Sequence, residues 1–129
     1  MSVARLGWKL MASPVILVVG GAGYIGIHMV RDLLDQGYTV VTLDNLSTGH
    51  LDLIPGGDFV QGDLGDRAVL DQVFSRYPVE AVMHFAANSL VGESVEKPLK
   101  YYMNNVAKTI NLLQVMNLPW SRKALTGKE

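Results

Sequence analysis

Residues 20–26 read GGAGYIG and follow the apolar run VILVV at Val15–Val19. Two glycine patterns overlap in this stretch. Gly21, Gly23 and Gly26 fit G-x-G-x-x-G, whereas Gly20, Gly23 and Gly26 fit G-x-x-G-x-x-G. Either pattern lets a backbone without Cβ atoms turn tightly and come close to a ligand. If a helix opens at Tyr24, its first N–H groups and the positive end of its dipole suit a pyrophosphate. Asp44 stands 18 residues beyond Gly26, at the end of the next apolar run, Thr39–Leu43. A carboxylate there accepts hydrogen bonds from both hydroxyls of an adenosine ribose and repels a 2′-phosphate. The loop DNLSTGH that begins at Asp44 holds no Arg or Lys to neutralise that phosphate, so NAD is favoured over NADP. The alternative is that the glycines only shape a turn and Asp44 is a solvated loop residue; the strand, glycine loop and helix in sequence favour the binding role. Asp63 ends a third apolar run. It either accepts from an adenine amino group or serves as a negative charge at the start of the next helix.

These residues need elements to hold them. Val15–Val19 is continuous in β-branched and apolar residues, as in a strand buried within a parallel sheet. A helix is expected from Tyr24 to about Gln36, with Ile25, Met29, Val30, Leu33 and Leu34 on its apolar face and Gly37 as its C-terminal cap. Thr39–Leu43 reads as the second strand, NLSTGHLDLIPGG as a loop, and Phe59–Gln61 as a short third strand. A second helix over Arg67–Arg76 has Leu70, Val73, Phe74 and Tyr77 on its inner side, and Ala81–Phe85 reads as the fourth strand. Pro98 suits the first turn of a third helix, along which Leu99, Tyr102, Met103, Val106, Ile110 and Leu113 form an apolar stripe. The alternation predicts an α/β fold: a Rossmann-like parallel sheet with helices on both faces, incomplete at about four strands in the order 3-2-1-4. Ligands of such sheets bind outside the carboxyl ends of the strands, where the order reverses. The expected organisation is a disordered extension over residues 1–13, a nucleotide-binding domain over 14–117, and an unstructured tail over 118–129.

Composition narrows the function classes. The chain has 129 residues, 49% of them hydrophobic and 18% charged, which suits one packed domain. A formal net charge of −1 offers no broad attraction to nucleic acid or to an anionic membrane. The absence of cysteine excludes disulfides, thiolate zinc sites and thiol catalysis, and it suits the reducing cytoplasm. His28, His50 and His84 are not spaced as a ligand set, so no metal site is expected. Arg5 and Lys9 ahead of VILVV imitate a secretory signal, but the run ends in helix-opening glycines rather than a cleavage site. It is also far short of the roughly 20 apolar residues of a membrane-spanning helix.

With LDNLSTGH, GDL, HFAA and VGESVEKPLKYYMNN following it, the G-x-x-G-x-x-G spacing at Gly20, Gly23 and Gly26 resembles the extended short-chain dehydrogenase/reductase family. Within that family the similarity is to the UDP-glucose 4-epimerases, from about Val15 to Met116. The resemblance implies that Tyr24 and Ile25 place backbone groups at the pyrophosphate of NAD. It implies that Asp44, Asn45, Leu46, Ser47, Thr48 and Gly49 wrap the adenosine ribose, and that Asp63 and Leu64 flank the adenine. Phe85, Ala86, Ala87, Asn88 and Ser89 would line the path to the nicotinamide, and Asn104 would hydrogen-bond near the cofactor. Ser89 stands where family members carry a lysine.

The implied reaction is a reversible oxidation at C4 of a UDP-sugar, with a tyrosine as base and a lysine four positions on to lower its pKa. No tyrosine here has that lysine: His28, Thr42, Ala81, Asn105 and Val106 occupy the positions. The segment after Met116, NLPWSRKALTGKE, contains no apolar run for a fifth, serine-bearing strand. The expectation is therefore a truncated, NAD-binding front portion with no catalytic residue of its own, inactive alone in UDP-glucose/UDP-galactose interconversion. A UDP-sugar would be a partner only if a catalytic half were supplied. The other readings are a non-catalytic dinucleotide-binding module and a complementing fragment. Without a fifth strand, the fourth would form an exposed sheet edge open to self-association.

Overall fold

A computed structural model describes residues 13–116, so the expectations for residues 1–12 and 117–129 lie outside the described part. The chain divides into two compact units, one running to Gln61 and including Tyr77–Ala86, the other comprising Gly62–Arg76 and the residues from Ala87 onward.

The first unit carries the sheet. Strands β1 (Val15–Val19), β2 (Thr39–Asp44), β3 (Asp58–Gln61) and β4 (Val79–His84) lie in the order β3-β2-β1-β4, all parallel. β1 is buried at every residue, as its unbroken β-branched character requires. It pairs with β2 from Val15↔Thr39 to Val19↔Leu43, and with β4 from Ile16↔Ala81 to Val19↔His84, after an irregularity between Val15 and Ile16. The order therefore reverses at β1, and the crevice for a ligand opens beyond Val19, Asp44 and His84.

Helix α1 (Tyr24–Asp35) turns Val30 and Leu33 into a cluster with Ile16, Val18 and Val40, edged by Met29, Leu34, Tyr38, Met83 and Phe85. Its end is a Schellman motif: Gly37 N–H donates to the Leu34 carbonyl (3.0 Å) and Tyr38 N–H to that of Leu33 (3.0 Å), with Gly37 at φ +88°. Ile25 is not on the buried face; it is 63% exposed in the first turn, beside the glycine loop.

The second unit is helical. Asp66 Oδ1 accepts from the Ala68 and Val69 N–H groups at the start of α2 (Arg67–Arg76), whose Leu70 and Val73 are buried as expected. A short helix over Val91–Glu96, α3, was not anticipated; it buries no residue and so leaves no apolar period to read. α4 (Pro98–Tyr101) continues through a π-helical turn, Tyr102–Ala107, into α-helix over 108–116.

The apolar stripe read along this helix is exposed. Leu99, Tyr102, Met103, Val106, Ile110 and Leu113 are 49–77% exposed, and Leu112 and Val115 are buried instead. Polar contacts hold the opposite face. Asn105 binds Asn88, Lys108 Nζ pairs with Asp63, and Asn111 Nδ2 donates to the Leu64 carbonyl (2.6 Å). Periodicity identifies a stripe, but these partners select which face turns inward. The parallel sheet in the order 3-2-1-4 with its helices is the Rossmann-like α/β fold expected from the sequence.

A candidate dinucleotide-binding site

In the first unit the glycine loop is built against the ends of the strands. Gly20 adopts φ +79°, and a Cβ on it would lie 2.8 Å from the Phe85 carbonyl carbon and 2.9 Å from the Ala86 nitrogen. A Cβ on Gly26 would collide with the Gly20 carbonyl oxygen. Both positions demand glycine for packing alone. Gly21 is confined too, by the Thr42 side chain at 2.6 Å, so both overlapping glycine patterns contain locked members. Gly23 differs: a Cβ there would touch only the Gly20 carbonyl oxygen, at 3.4 Å. The fold leaves the space over Gly23 open.

The first turn of α1 leaves donors over. Its first intrahelical bond is Ile27 N–H to the Gly23 carbonyl (2.9 Å), and Gly23 N–H is taken by the Gly20 carbonyl (3.1 Å). No side chain caps this turn and no acidic residue occupies it. The N–H groups of Tyr24, Ile25 and Gly26 thus form an uncapped positive end suited to an anion. Tyr24 is 82% exposed, and its ring meets His28 edge-on at 5.0 Å.

Asp44 is not a solvated loop residue. Its Oδ2 accepts from Ala22 N–H (3.0 Å) and its Oδ1 from Leu46 N–H (2.7 Å). Ala22 is held at its other end as well, its carbonyl accepting from His50 N–H (3.0 Å). The loop Asp44–His50 is therefore strapped onto the glycine loop at both ends. Gly49 lies so close that a Cβ would sit 2.7 Å from that of Ala22. Leu46 holds φ +60°, an unfavourable left-handed conformation for a leucine, fixed by the Asp44 bond. Ser47 N–H donates to Asn45 Oδ1 (3.0 Å), and Ser47 and Thr48 are exposed. A carboxylate has about four acceptor directions. Asp44 gives two to the loop and retains capacity for a diol.

At the end of β4, Phe85 N–H donates to the Val19 carbonyl (2.7 Å), carrying the chain past Gly20. Ala86 N–H donates to His84 Nδ1 (3.2 Å). That bond requires an unprotonated Nδ1, and burial also holds this imidazole below its ordinary pKa. In the sequence His84 stands out only as a histidine outside any ligand set and as the first residue of HFAA; no site role was assigned to it, because a lone histidine at a strand end carries no spacing signal.

In the second unit, Asp63 is engaged by protein groups: Lys108 Nζ lies 2.8 Å from Oδ1 and 3.0 Å from Oδ2, and Gly65 N–H donates to Oδ1 (2.7 Å). Leu64 is a buried core residue. Ala87 and Ser89 are exposed, while Asn88 and Asn104 are half-buried. Asn105 joins the last two, accepting from Asn88 N–H (2.8 Å) and from Asn104 Nδ2 (3.0 Å). Among the described residues no cluster of three or more His, Cys, Asp or Glu could hold a metal ion, and no helix is long and apolar enough to cross a membrane.

The residues present fit a dinucleotide on two counts: a cradle over Gly23 that a Cβ would fill, and an anchored carboxylate one strand away. Comparison with known proteins agrees. The UDP-glucose 4-epimerase of Halalkalibacterium halodurans is 52% identical over 101 residues, covering 78% of this chain and 30% of that protein. That of Streptococcus mutans is 55% identical over 105 residues, covering 79% and 32%. The crystal structure of UDP-glucose 4-epimerase from Brucella ovis in complex with NAD superposes with a TM-score of 0.80 at 52% identity, over 82% of this chain and 33% of that one. The chain thus spans about a third of the length of the relatives it matches. A sequence profile of the NAD dependent epimerase/dehydratase family matches residues 16–124, and the chain belongs to that family.

Proposed function

We propose that this chain is the NAD-binding front portion of a UDP-glucose 4-epimerase. The observation that carries the reading is the glycine loop. Gly20 and Gly26 are required by the chain's own packing and Gly23 is not, while the N–H groups of Tyr24, Ile25 and Gly26 stand uncapped beside it. A glycine that the fold does not need, at the mouth of a helix, is explained by a pyrophosphate lying over it. On this reading Tyr24 and Ile25 donate to the pyrophosphate, and Asp44 grips the adenosine ribose while Asn45–Gly49 wrap it. Asp63 and Leu64 flank the adenine, Asp63 with its carboxylate steadied by Lys108. Phe85–Ser89 and Asn104 line the nicotinamide side.

Bound NAD supplies a hydride acceptor for the oxidation of a sugar hydroxyl. The chain's own residues hold the dinucleotide and keep the 85–89 segment in place. They include no tyrosine with a lysine four positions on, so the chain holds NAD and by itself epimerises no sugar. A UDP-sugar joins only where a catalytic half is supplied. The domain occupies residues 14–117, and the cytoplasm is its compartment.

Calorimetric titration of the full chain with NAD and NADP, with a parallel assay on UDP-galactose, tests this. NAD binding with NADP weaker and no epimerisation is expected; NADP binding as tightly as NAD, or no dinucleotide binding, overturns it.

A further inference from the structure

We infer that Lys108 is a specificity-determining residue of the base site: by sitting on the Asp63 carboxylate, it makes that site accept a 6-oxopurine dinucleotide nearly as well as the 6-aminopurine of NAD. The inference deepens the reading above and rests on it, since it takes Asp63 as the group that meets the adenine. Lys108 Nζ lies 2.8 Å from Asp63 Oδ1 and 3.0 Å from Oδ2, so one ammonium bridges both oxygens. Both side chains are half-buried, where such a pair is screened less than on an open surface. The carboxylate does not depend on the lysine for its position. Gly65 N–H donates to Oδ1 at 2.7 Å, and Asp66 N–H donates to the Asp63 carbonyl at 3.0 Å, closing a turn around it. A Cβ on Gly65 would come within 2.9 Å of Oδ1 and 3.3 Å of Lys108 Cε, so the pair fills the space over that glycine. Asn111, three residues beyond Lys108 on the same helix face, donates Nδ2 to the Leu64 carbonyl (2.6 Å) and fixes the next residue.

A carboxylate alone is an acceptor and has no donor to offer a base. Adenine presents a donor at its 6-amino group and an acceptor at N1, so a bare Asp63 takes the amino group. Hypoxanthine reverses the pattern, with an acceptor at O6 and a donor at N1. Beside a bare carboxylate its O6 meets a negative charge with no proton between them, and a polar group left in that way costs binding. The Lys108 ammonium changes the pattern. It carries three donors, of which the two carboxylate oxygens engage two, and it sets a donor next to the acceptor. Together the two groups complement either purine edge. The carboxylate takes the 6-amino group of adenine or the N1–H of hypoxanthine, and the ammonium takes N1 or O6. The ammonium also offsets the charge that would strengthen the amino contact. Both effects narrow the gap between the two bases.

Calorimetric titrations compare NAD with nicotinamide hypoxanthine dinucleotide on the full chain, unsubstituted and carrying Lys108→Met. Lys97→Met, which removes a charge elsewhere in the second unit, is the control. The unsubstituted chain is expected to bind the two dinucleotides within about threefold of each other, and Lys108→Met to prefer NAD by about tenfold or more, the scale of a hydrogen bond to a charged group. Lys97→Met is expected to keep the narrow ratio. A preference for NAD of about tenfold in the unsubstituted chain overturns the inference. So does an unchanged ratio in Lys108→Met, or an equal widening in Lys97→Met. In each of these cases NAD still binds and the NAD-binding reading stands. If the unsubstituted chain binds neither dinucleotide, that reading falls and the inference with it. Should Lys108→Met not fold, Lys108→Ala yields the same comparison, and the ratio in the unsubstituted chain needs no variant.

Discussion

Asp44 bonds to Ala22 on one side and Leu46 on the other, so removing its carboxylate affects both loop order and ligand binding. Asp44→Ala is expected to weaken NAD about 10- to 100-fold, the range for hydrogen bonds to a charged group. Asp35→Ala, at the far end of α1, is expected to leave the titration unchanged, and equal affinities in the two variants would remove the ribose contact. The glycines separate along the same line. Gly26→Ala overfills a packed site and is expected to lower stability by about 1–3 kcal/mol. Gly23→Ala is expected to change stability by less than about 1 kcal/mol while abolishing measurable NAD binding. Paired thermal melts and titrations distinguish the two.

His84 makes a pH signature. Its folded pKa lies below the ordinary value, so the unfolded chain protonates first as pH falls through about 6.5. Its contribution to stability is complete at higher pH and declines toward pH 5. Glu93 is held below its ordinary value by hydrogen bonds from Lys100 and Tyr101, and so titrates beneath this window. Melting midpoints between pH 7.5 and 5.5 are expected to fall more for the unsubstituted chain than for His84→Asn, which keeps an acceptor for Ala86 N–H and does not titrate.

The end of α1 was legible element by element: an apolar period, then a glycine. Gly37 sits at φ +88° with no atom within 4 Å of a Cβ position, so an alanine there meets backbone strain and no clash. Gly37→Ala is expected to cost about 1 kcal/mol, read from chemical denaturation as a lower midpoint with unchanged slope. The C-terminal helix was legible in part. Pro98 marked its start and the stripe from Leu99 to Leu113 is real, but the stripe faces outward and the π-turn left no mark in the residue pattern. A period of apolar residues records only that one side differs from the other. The side that packs was chosen by Asn105, Lys108 and Asn111, whose partners stand many residues away in the chain.

At the scale of the molecule, burial is unequal across the sheet. β1 is buried throughout and β2 along most of its length, whereas β3 and β4, the edges among the described residues, are half-buried or exposed at every position. Native-state amide exchange is therefore expected to be slowest in β1 and β2 and faster in β3 and β4; protection in β4 equal to that in β1 would show that its outer edge is covered. The strands, the glycine loop and the acidic residue at the end of β2 could be read from local residue type (β-branched runs, glycines where Cβ atoms collide, a carboxylate at a strand end), and the strand order from the alternation of strands with crossover helices. The clamp of Asn105 on Asn88, the ion pair between Asp63 and Lys108, the strap around Ala22 and the outward turn of the apolar stripe were decided by the tertiary structure alone. Each joins groups far apart along the chain, and a hydrogen bond between such groups leaves no period or spacing in the sequence that folds to make it.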